Sequence, residues 1–167
     1  MTTARDILNL ATERTDKALR GKFSKKGVFI RFNSGHSATI ENETSLTLAR
    51  STKTNPFPMV AMFTEGVTES TSNGLLEFRV PKIAIVIRTK DNTSEVQKLN
   101  DSFRAVLHPI LVEFESQLKR LHFGYDLTIK HTDLPCMSQG GKNASLNQLC
   151  DAVIIRDLRM KVPVKTC

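Results

Sequence analysis

The chain is poor in the residues that make oxidised scaffolds and stacking surfaces. Its 167 residues include three cysteines, one tyrosine and no tryptophan. Cys136, Cys150 and Cys167 leave one thiol over under any intramolecular pairing, which argues against a disulfide framework and for reduced thiols in a cytoplasm. No apolar run approaches the roughly 20 residues needed to cross a bilayer, so no membrane partner is expected. The opening stretch MTTARDILNLATERTDKALRG interleaves acids with apolar positions. It lacks the unbroken apolar segment and small-residue cleavage site of a signal peptide. The expectation is a protein that stays in the compartment where it is made.

Catalytic signatures are also missing. There is no G-x-S-x-G, and Cys136 has no flanking nucleophile pattern. His131-Thr132-Asp133 is the only tight His/Asp grouping, and neighbours in sequence do not make a relay. A zinc site drawn from His131, Cys136 and Cys150 lacks the two short-spaced ligand pairs of structural zinc. Gln139-Gly140-Gly141-Lys142-Asn143-Ala144-Ser145 departs from the spacing of a phosphate loop, and no strong strand feeds it. The acids are scattered, with no pair marked as acid and base. No catalytic residue, no metal and no cofactor is expected, and an enzyme is disfavoured.

What the chain does contain is ordinary globular material, 40% hydrophobic and 25% charged, at a length that fits one domain. It is also basic, with a formal charge of +7. The excess gathers in Arg14, Lys17, Arg20, Lys22, Lys25, Lys26 and Arg31, opposed within that span by Asp16 alone, and again in Arg156, Arg159, Lys161 and Lys165. Such clusters are either a solvated face or a surface for an anionic partner. Single-strand readers add stacking aromatics to their basic grooves, whereas the phenylalanines here mostly fall at core-like positions. Contact with DNA phosphates fits this composition better than sequence-specific reading.

The pattern predicts a helix over residues 3–20, capped by Thr2 or Thr3 and stopped by Gly21. Its apolar residues share a face only loosely, and residues 12–17 are polar all round. That suits a peripheral helix or one completed by a neighbouring subunit. Strands are predicted at 28–32, 37–41, 45–49 and 59–63, then a long polar hairpin loop over 64–74. The strongest strand signal is Ile83-Ala84-Ile85-Val86-Ile87, apolar on both faces as in the centre of a covered sheet. A long helix follows, with Asn92 and Glu95 as a capping-box-like start. Its stripe is Val96, Leu99, Phe103, Val106, Leu107, Ile110, Leu111, Phe114, Leu118 and Leu121. Pro109 either kinks this helix or opens a second one. A half-buried strand at 125–130 and a loop over 131–147 precede a final strand at 152–162. There Arg156 interrupts the inner face and marks a bulge or a charged interface position. Helix, strands, long helix and strands in this order indicate α+β: an antiparallel or mixed sheet packed against one long, Pro-interrupted helix, with an N-terminal helix beside it.

Three segments together resemble a known family. They are Thr54-Asn55-Pro56-Phe57-Pro58-Met59-Val60-Ala61-Met62-Phe63 with the acidic loop after it; the strand from Ile83 leading into Asn100-Asp101-Ser102-Phe103-Arg104-Ala105-Val106-Leu107-His108-Pro109-Ile110-Leu111; and Asp151-Ala152-Val153-Ile154-Ile155-Arg156-Asp157-Leu158-Arg159-Met160. In that order they resemble small neck proteins of tailed bacteriophages, of the tail-terminator or head–tail connector type, including ring proteins of crAss-like phages. The resemblance covers about three-quarters of the chain. It implies a tail-terminator-like fold and a structural virion protein that forms a homomeric ring. The ring would sit between the portal side, or an adjacent connector ring, and the tail proteins, around double-stranded DNA. On that reading Glu65 and Glu69 are subunit-interface or lumen-loop charges, and Arg14, Lys17, Lys22, Lys25 and Lys26 face DNA or partners. The alternative is a basic nucleic-acid-binding accessory protein without sequence specificity.

Overall fold

The computed structural model describes residues 2–23, 29–50, 57–88, 94–135 and 150–164, without the side chains of 44–50. One six-stranded mixed sheet organises them. Its strands are β1 (Arg31–Gly35), β2 (Met59–Phe63), β3 (Thr68–Ser72), β4 (Leu75–Arg88), β5 (Lys130–Leu134) and β6 (Cys150–Pro163). The order is β1-β2-β4-β6-β5, with β1 and β2 parallel and the other neighbours antiparallel. β3 also pairs with β4, along the half that β2 leaves open. The mixed α+β class read from the pattern is what forms.

The two 14-residue strands β4 and β6 pair along their whole length and form the spine. Leu76, Phe78 and Val80 lie in one core cluster, and so do Ile83, Ile85 and Ile87. Even-numbered residues therefore face that core before Pro81 and odd-numbered ones after it. β6 switches at the same place: Val153 and Ile155 share the cluster with Leu158, Met160 and Val162. Between the pairs Val80↔Leu158 and Lys82↔Arg156, Pro81 and Asp157 have no ladder pairing. Pro81 has no N–H to give, and Asp157 takes a φ of 53°, a left-handed conformation that aspartate tolerates. Each strand thus spends one residue at the same level, which keeps the register and reverses the alternation. The irregularity expected near Arg156 lies one residue further on. It puts Ile154 on the opposite face from Leu158.

Three helices cover the sheet. Helix α1 (Ala4–Phe23) starts in a capping box, where the Asp6 N–H donates to Thr3 Oγ1 at 3.3 Å and the Thr3 N–H to Asp6 Oδ2 at 2.9 Å. Its buried positions Ala4, Ile7, Leu8, Ala11, Thr12, Thr15 and Asp16 form an unbroken stripe, so its polar middle is neither peripheral nor left for a neighbour. The Thr12 and Thr15 hydroxyls donate to the carbonyls of Leu8 and Ala11, both at 2.8 Å. Asp16, 2% exposed, accepts the N–H groups of Phe29 (2.6 Å) and Ile30 (2.8 Å) and pairs with Arg20. The helix also runs through Gly21, because Phe23 stacks on Phe29 with ring centres 5.0 Å apart. That contact and the Arg20 pair outweigh glycine's cost of about 1 kcal/mol in a helix.

Helix α2 (Ser37–Arg50) occupies the stretch expected to hold two strands. Its first turn is fixed from outside, since the Ser37 N–H donates to Glu65 Oε1 at 2.8 Å. A contact 28 residues away in sequence overrides the local β-like alternation. The long helix spans residues 95–121. Ser94 caps it, in a box with Gln97, while Asn92 lies outside the described residues. It is one run and not two: Glu95–Gln97, π-helical turns over Lys98–Leu107, then regular α-helix over His108–Leu121 with Pro109 in its first turn. The His108 N–H bonds to Phe103 O, five residues back. This wider turn eases the crowding a proline ring imposes on the carbonyl four residues before it. The turns also rotate the stripe. Phe103, Leu107, Ile110, Leu111, Phe114 and Leu118 are buried, whereas Val96 and Leu99 face outward.

Two further expectations change. Residues 64–74 are not all loop, because β3 forms there and turns into β4 through Asn73 (φ 50°) and Gly74 (φ 73°), the two left-handed residues of a tight hairpin. Residues 125–129 fall outside regular structure, and β5 begins at Lys130. Leu127 and Ile129 still pack on the main core.

Burial raises the Asp16 carboxyl pKa, but bonds from Arg20, Ile30 and Phe29 outweigh it and hold it below the ordinary range. A depressed pKa contributes stability above the unfolded value, lost as pH falls through the folded one. Asp16→Ala should cost about 1–3 kcal/mol in urea unfolding at neutral pH. The difference from wild type should shrink as pH falls below about 4; an equal gap at all pH values would contradict this.

Candidate assembly interface

The sheet has unequal faces. The main core fills one side between the sheet, α1 and the long helix. On the other side a smaller cluster joins Ile40 and Phe57 to Met59, Ala61, Ala84, Val86, Cys150, Ala152 and Ile154. Here Ala61 pairs with Ala84, and Ala152 with Val86, so three adjacent strands line this face with short side chains. Beside them lies a trough of about 210 Å³, walled by Ile40, Phe63 and Leu134 and by the polar Ser37 and Glu41.

Lys82 and Arg156 also line this trough, and Lys130 stands beside them. Arg156 is the register partner of Lys82 on one side and of Lys130 on the other. Side chains directly opposite across a ladder share a face, so the three form a row on neighbouring strands about 4.8 Å apart. All three are exposed. Among the described residues no carboxylate lies within ion-pair distance of any of them. Lys82 instead lies over the Phe63 ring, 4.3 Å from its centre. Like charges directly opposite one another are destabilising. The row thus stands on the surface beside a trough whose apolar floor is buried and whose lining includes Glu41.

The far end of the spine carries the reverse combination. After the long helix, the Phe123 N–H donates to the Lys161 carbonyl at 2.7 Å, and the Lys161 N–H donates to His122 Nδ1 at 3.2 Å. Burial and the nearby Lys161 charge lower the His122 pKa, which favours the neutral ring this acceptor requires. Gly124, at φ 135°, then turns the chain sharply. Phe123 is left 57% exposed and Tyr125 106% exposed, with the exposed Asp126 next to them. Arg79, Arg159 and Lys161 nearby are matched internally, the arginines by Asp157 and the lysine by Glu77. Asp126 has no such cation among the described residues.

The acidic residues anticipated at an interface serve inside the chain. Glu65 accepts the first N–H of α2, and Glu69, on β3, accepts the Ala4 N–H at 3.0 Å at the start of α1. The two carboxylates thus hold helix N-termini on opposite faces of the sheet, where the positive helix end favours an anion. A neighbour can reach only their remaining lone pairs. Arg14, Lys17 and Lys22 are exposed on α1, and Lys22 lies 5.6 Å from the Phe23 ring centre. Lys25 and Lys26 lie outside the described residues. The structure does not bring the α1 cations together with Glu65 or Glu69.

His131 and Asp133 do not act on each other. His108 Nε2 meets Asp133 Oδ2 at 2.9 Å and His131 Nδ1 lies 3.8 Å from Glu115 Oε1, so both tie β5 to the long helix. Among the described residues no group of three or more metal-ligating side chains occurs, and Cys136 lies outside them. No described helix is long and apolar enough to cross a membrane. A comparison with known protein families and with curated proteins found no match for this chain.

Hydrogen bonds from the Ser37 side chain and N–H hold the Glu65 carboxyl at about 2. Its contribution is present above the unfolded pKa and lost as pH falls through about 2. Glu65→Gln should cost about 1 kcal/mol, in the range measured for removing a helix cap. NMR titration of the Glu65 carboxyl in the wild type should show a midpoint near 2. A midpoint above about 4, the ordinary glutamate value, would mean that the anchor on α2 does not form in solution.

Proposed function

We propose that this chain is a structural subunit of a tailed-phage neck. Copies of it form a homomeric ring between the portal side, or an adjacent connector ring, and the tail proteins, with double-stranded DNA passing through. The observation that carries this reading is the unequal sheet. One face is covered by α1 and the long helix, while the other carries the exposed row of Lys82, Arg156 and Lys130, none of them in an ion pair among the described residues. A row of like charges is unfavourable on an isolated chain and can be matched by acids of a neighbouring subunit. The order of sheet strands, long helix and returning strand is the order on which the resemblance to neck proteins rests.

The work of such a protein is geometric and needs no catalytic residue. A head-to-tail contact repeated by rotation closes into a ring. Its place is the virion neck, and the host cytoplasm during assembly. The exposed cations of α1, Arg14, Lys17 and Lys22, with Lys25 and Lys26 after them, are assigned to DNA or to the adjoining ring.

A basic accessory protein that coats nucleic acid is the second reading, favoured by the same excess of cations. Light scattering after size exclusion, with negative-stain microscopy, separates the two. The neck reading expects closed rings of one stoichiometry that persist without DNA. A monomer at every concentration that binds duplex DNA would favour the accessory role. Reversing Arg14, Lys17 and Lys22 to glutamate should leave ring formation intact. It should also lower the slope of log affinity for duplex DNA against log salt by roughly 3, at about 0.9 for each phosphate no longer neutralised.

A further inference from the structure

A second groove lies beside the aromatic turn, at the β3 end of the sheet, with a volume of about 550 Å³. That is within the roughly 300–1,000 Å³ of small-molecule sites. Every residue that lines it is described. Residues 24–28, 51–56, 89–93 and 136–149 join the sheet at its other end, where β4 stops at Arg88 opposite Cys150 and β1 and β2 begin. Helix α2 lies against β1, and residues 165–167 follow Val164, which packs on the main core across the sheet.

The floor of this groove is the face turned away from the main core. Leu76, Phe78, Leu158 and Met160 belong to that core, so Glu77, Arg79, Arg159 and Lys161 point the other way. Thr68 and Ser70 stand opposite Arg79 and Glu77 in the ladder and share their face. Lys161 Nζ meets Glu77 Oε1 at 2.8 Å, Arg159 Nη2 meets Asp157 Oδ2 at 3.0 Å, and Arg79 pairs with the same carboxylate. Donors and acceptors thus stand side by side and hold one another in place. Phe123 and the fully exposed Tyr125 form one wall, with Asp126 next to them.

This composition narrows the ligand to one class. A phosphate chain gains little from Arg79, Arg159 and Lys161, because Glu77, Asp126 and Asp157 oppose them. An apolar ligand would strip water from the same charged groups and replace none of it. A ring of neutral hydroxyls meets both demands. Each hydroxyl donates and accepts, so adjacent ones can bridge a guanidinium and a carboxylate. The C–H face of such a ring also suits the negative face of an aromatic side chain. Because the floor is fixed by its own ion pairs, little side-chain freedom is lost on binding. We propose that the groove binds a neutral oligosaccharide. One sugar ring stacks on Tyr125, and its hydroxyls bond to the Arg79–Asp157–Arg159 cluster and the Glu77–Lys161 pair. The site is independent of the ring-forming reading and stands or falls without it.

Tyr125 is the chain's one tyrosine, and there is no tryptophan, so near-ultraviolet emission reports on this groove. The probes are linear oligomers of glucose, galactose, mannose and N-acetylglucosamine, each titrated to its solubility at fixed protein concentration. At least one should change the emission saturably, with an affinity that salt hardly alters. Saturation-transfer NMR on the C–H protons of that oligomer then compares variants, after circular dichroism and thermal melting show that they fold. Tyr125→Ala and Arg159→Ala should each weaken binding about tenfold, and Tyr125→Phe should keep it. No response to any neutral oligomer overturns the proposal, as does binding that Tyr125→Ala leaves unchanged. An emission change that follows duplex DNA alone and fades steeply with salt also overturns it, and gives the groove to phosphates.

Discussion

Everything else in the fold is placed by the paired irregularity of Pro81 and Asp157 in the two central strands. An extra residue in one strand alone would shift the register of all that follows. One in each, at the same level, leaves every later pair intact and turns both strands over together. The ladder from Leu75↔Pro163 to Arg88↔Cys150 is therefore continuous in register, but its two halves bury opposite parities. The half nearer Arg88 gives Ile83, Ile85 and Ile87 to the main core and frees Ala84 and Val86 for the other face. Without the switch Lys82 and Arg156 would point into the main core. With it they stand together on the open face. The turn before β3 is packed on the same point, since a side chain at Gly66, where φ is 71°, would come within 3.3 Å of the Pro81 ring.

The helices depend on a second economy, in which acids act as caps at a distance. Asp16 closes the gap between α1 and the chain entering β1 by accepting two successive N–H groups. Glu65, in the turn after β2, reaches α2, and Glu69, on β3, reaches α1. A basic chain thus commits several of its acids internally. The row of Lys82, Arg156 and Lys130 across β4, β6 and β5 has no ion-pair partner among the described residues.

Legibility in the sequence followed the range of the interactions. The Ile83–Ile87 strand, the long helix and the final strand were readable because their patterns are repeated locally. The start of α1 was also readable, because Thr3 and Asp6 cap each other across one turn. Helix α2 was not, since alternating Leu46 and Leu48 imitate a strand and the Glu65 bond that fixes its first turn is distant. The stripe of α1 was obscured because Thr12, Thr15 and Asp16 continue it with buried polar groups, which a hydrophobic template scores as surface. The hairpin of β3 had a usable signal in Asn73-Gly74, overshadowed by the all-polar strand before it. Of the proposed assembly surface, Arg156 stood out as an interruption. Lys82 and Lys130 became its neighbours only through register, and Tyr125 was hidden inside an alternation that read as a strand.

The switch at Pro81 and Asp157 also bears on the proposed ring, which requires two unlike contact surfaces on one small chain. A sheet that kept one parity would bury one face along its whole length and expose polar residues along the other. Reversal at mid-length gives the two ends different second faces. The β1–β2 end buries short apolar residues beside an exposed row of cations, whereas the β3 end carries paired charges and supports the aromatic turn through Lys161. Polarity along the strands is what a head-to-tail contact needs, because identical ends would favour a two-fold dimer instead. In this chain that polarity is set by one residue in each of two strands.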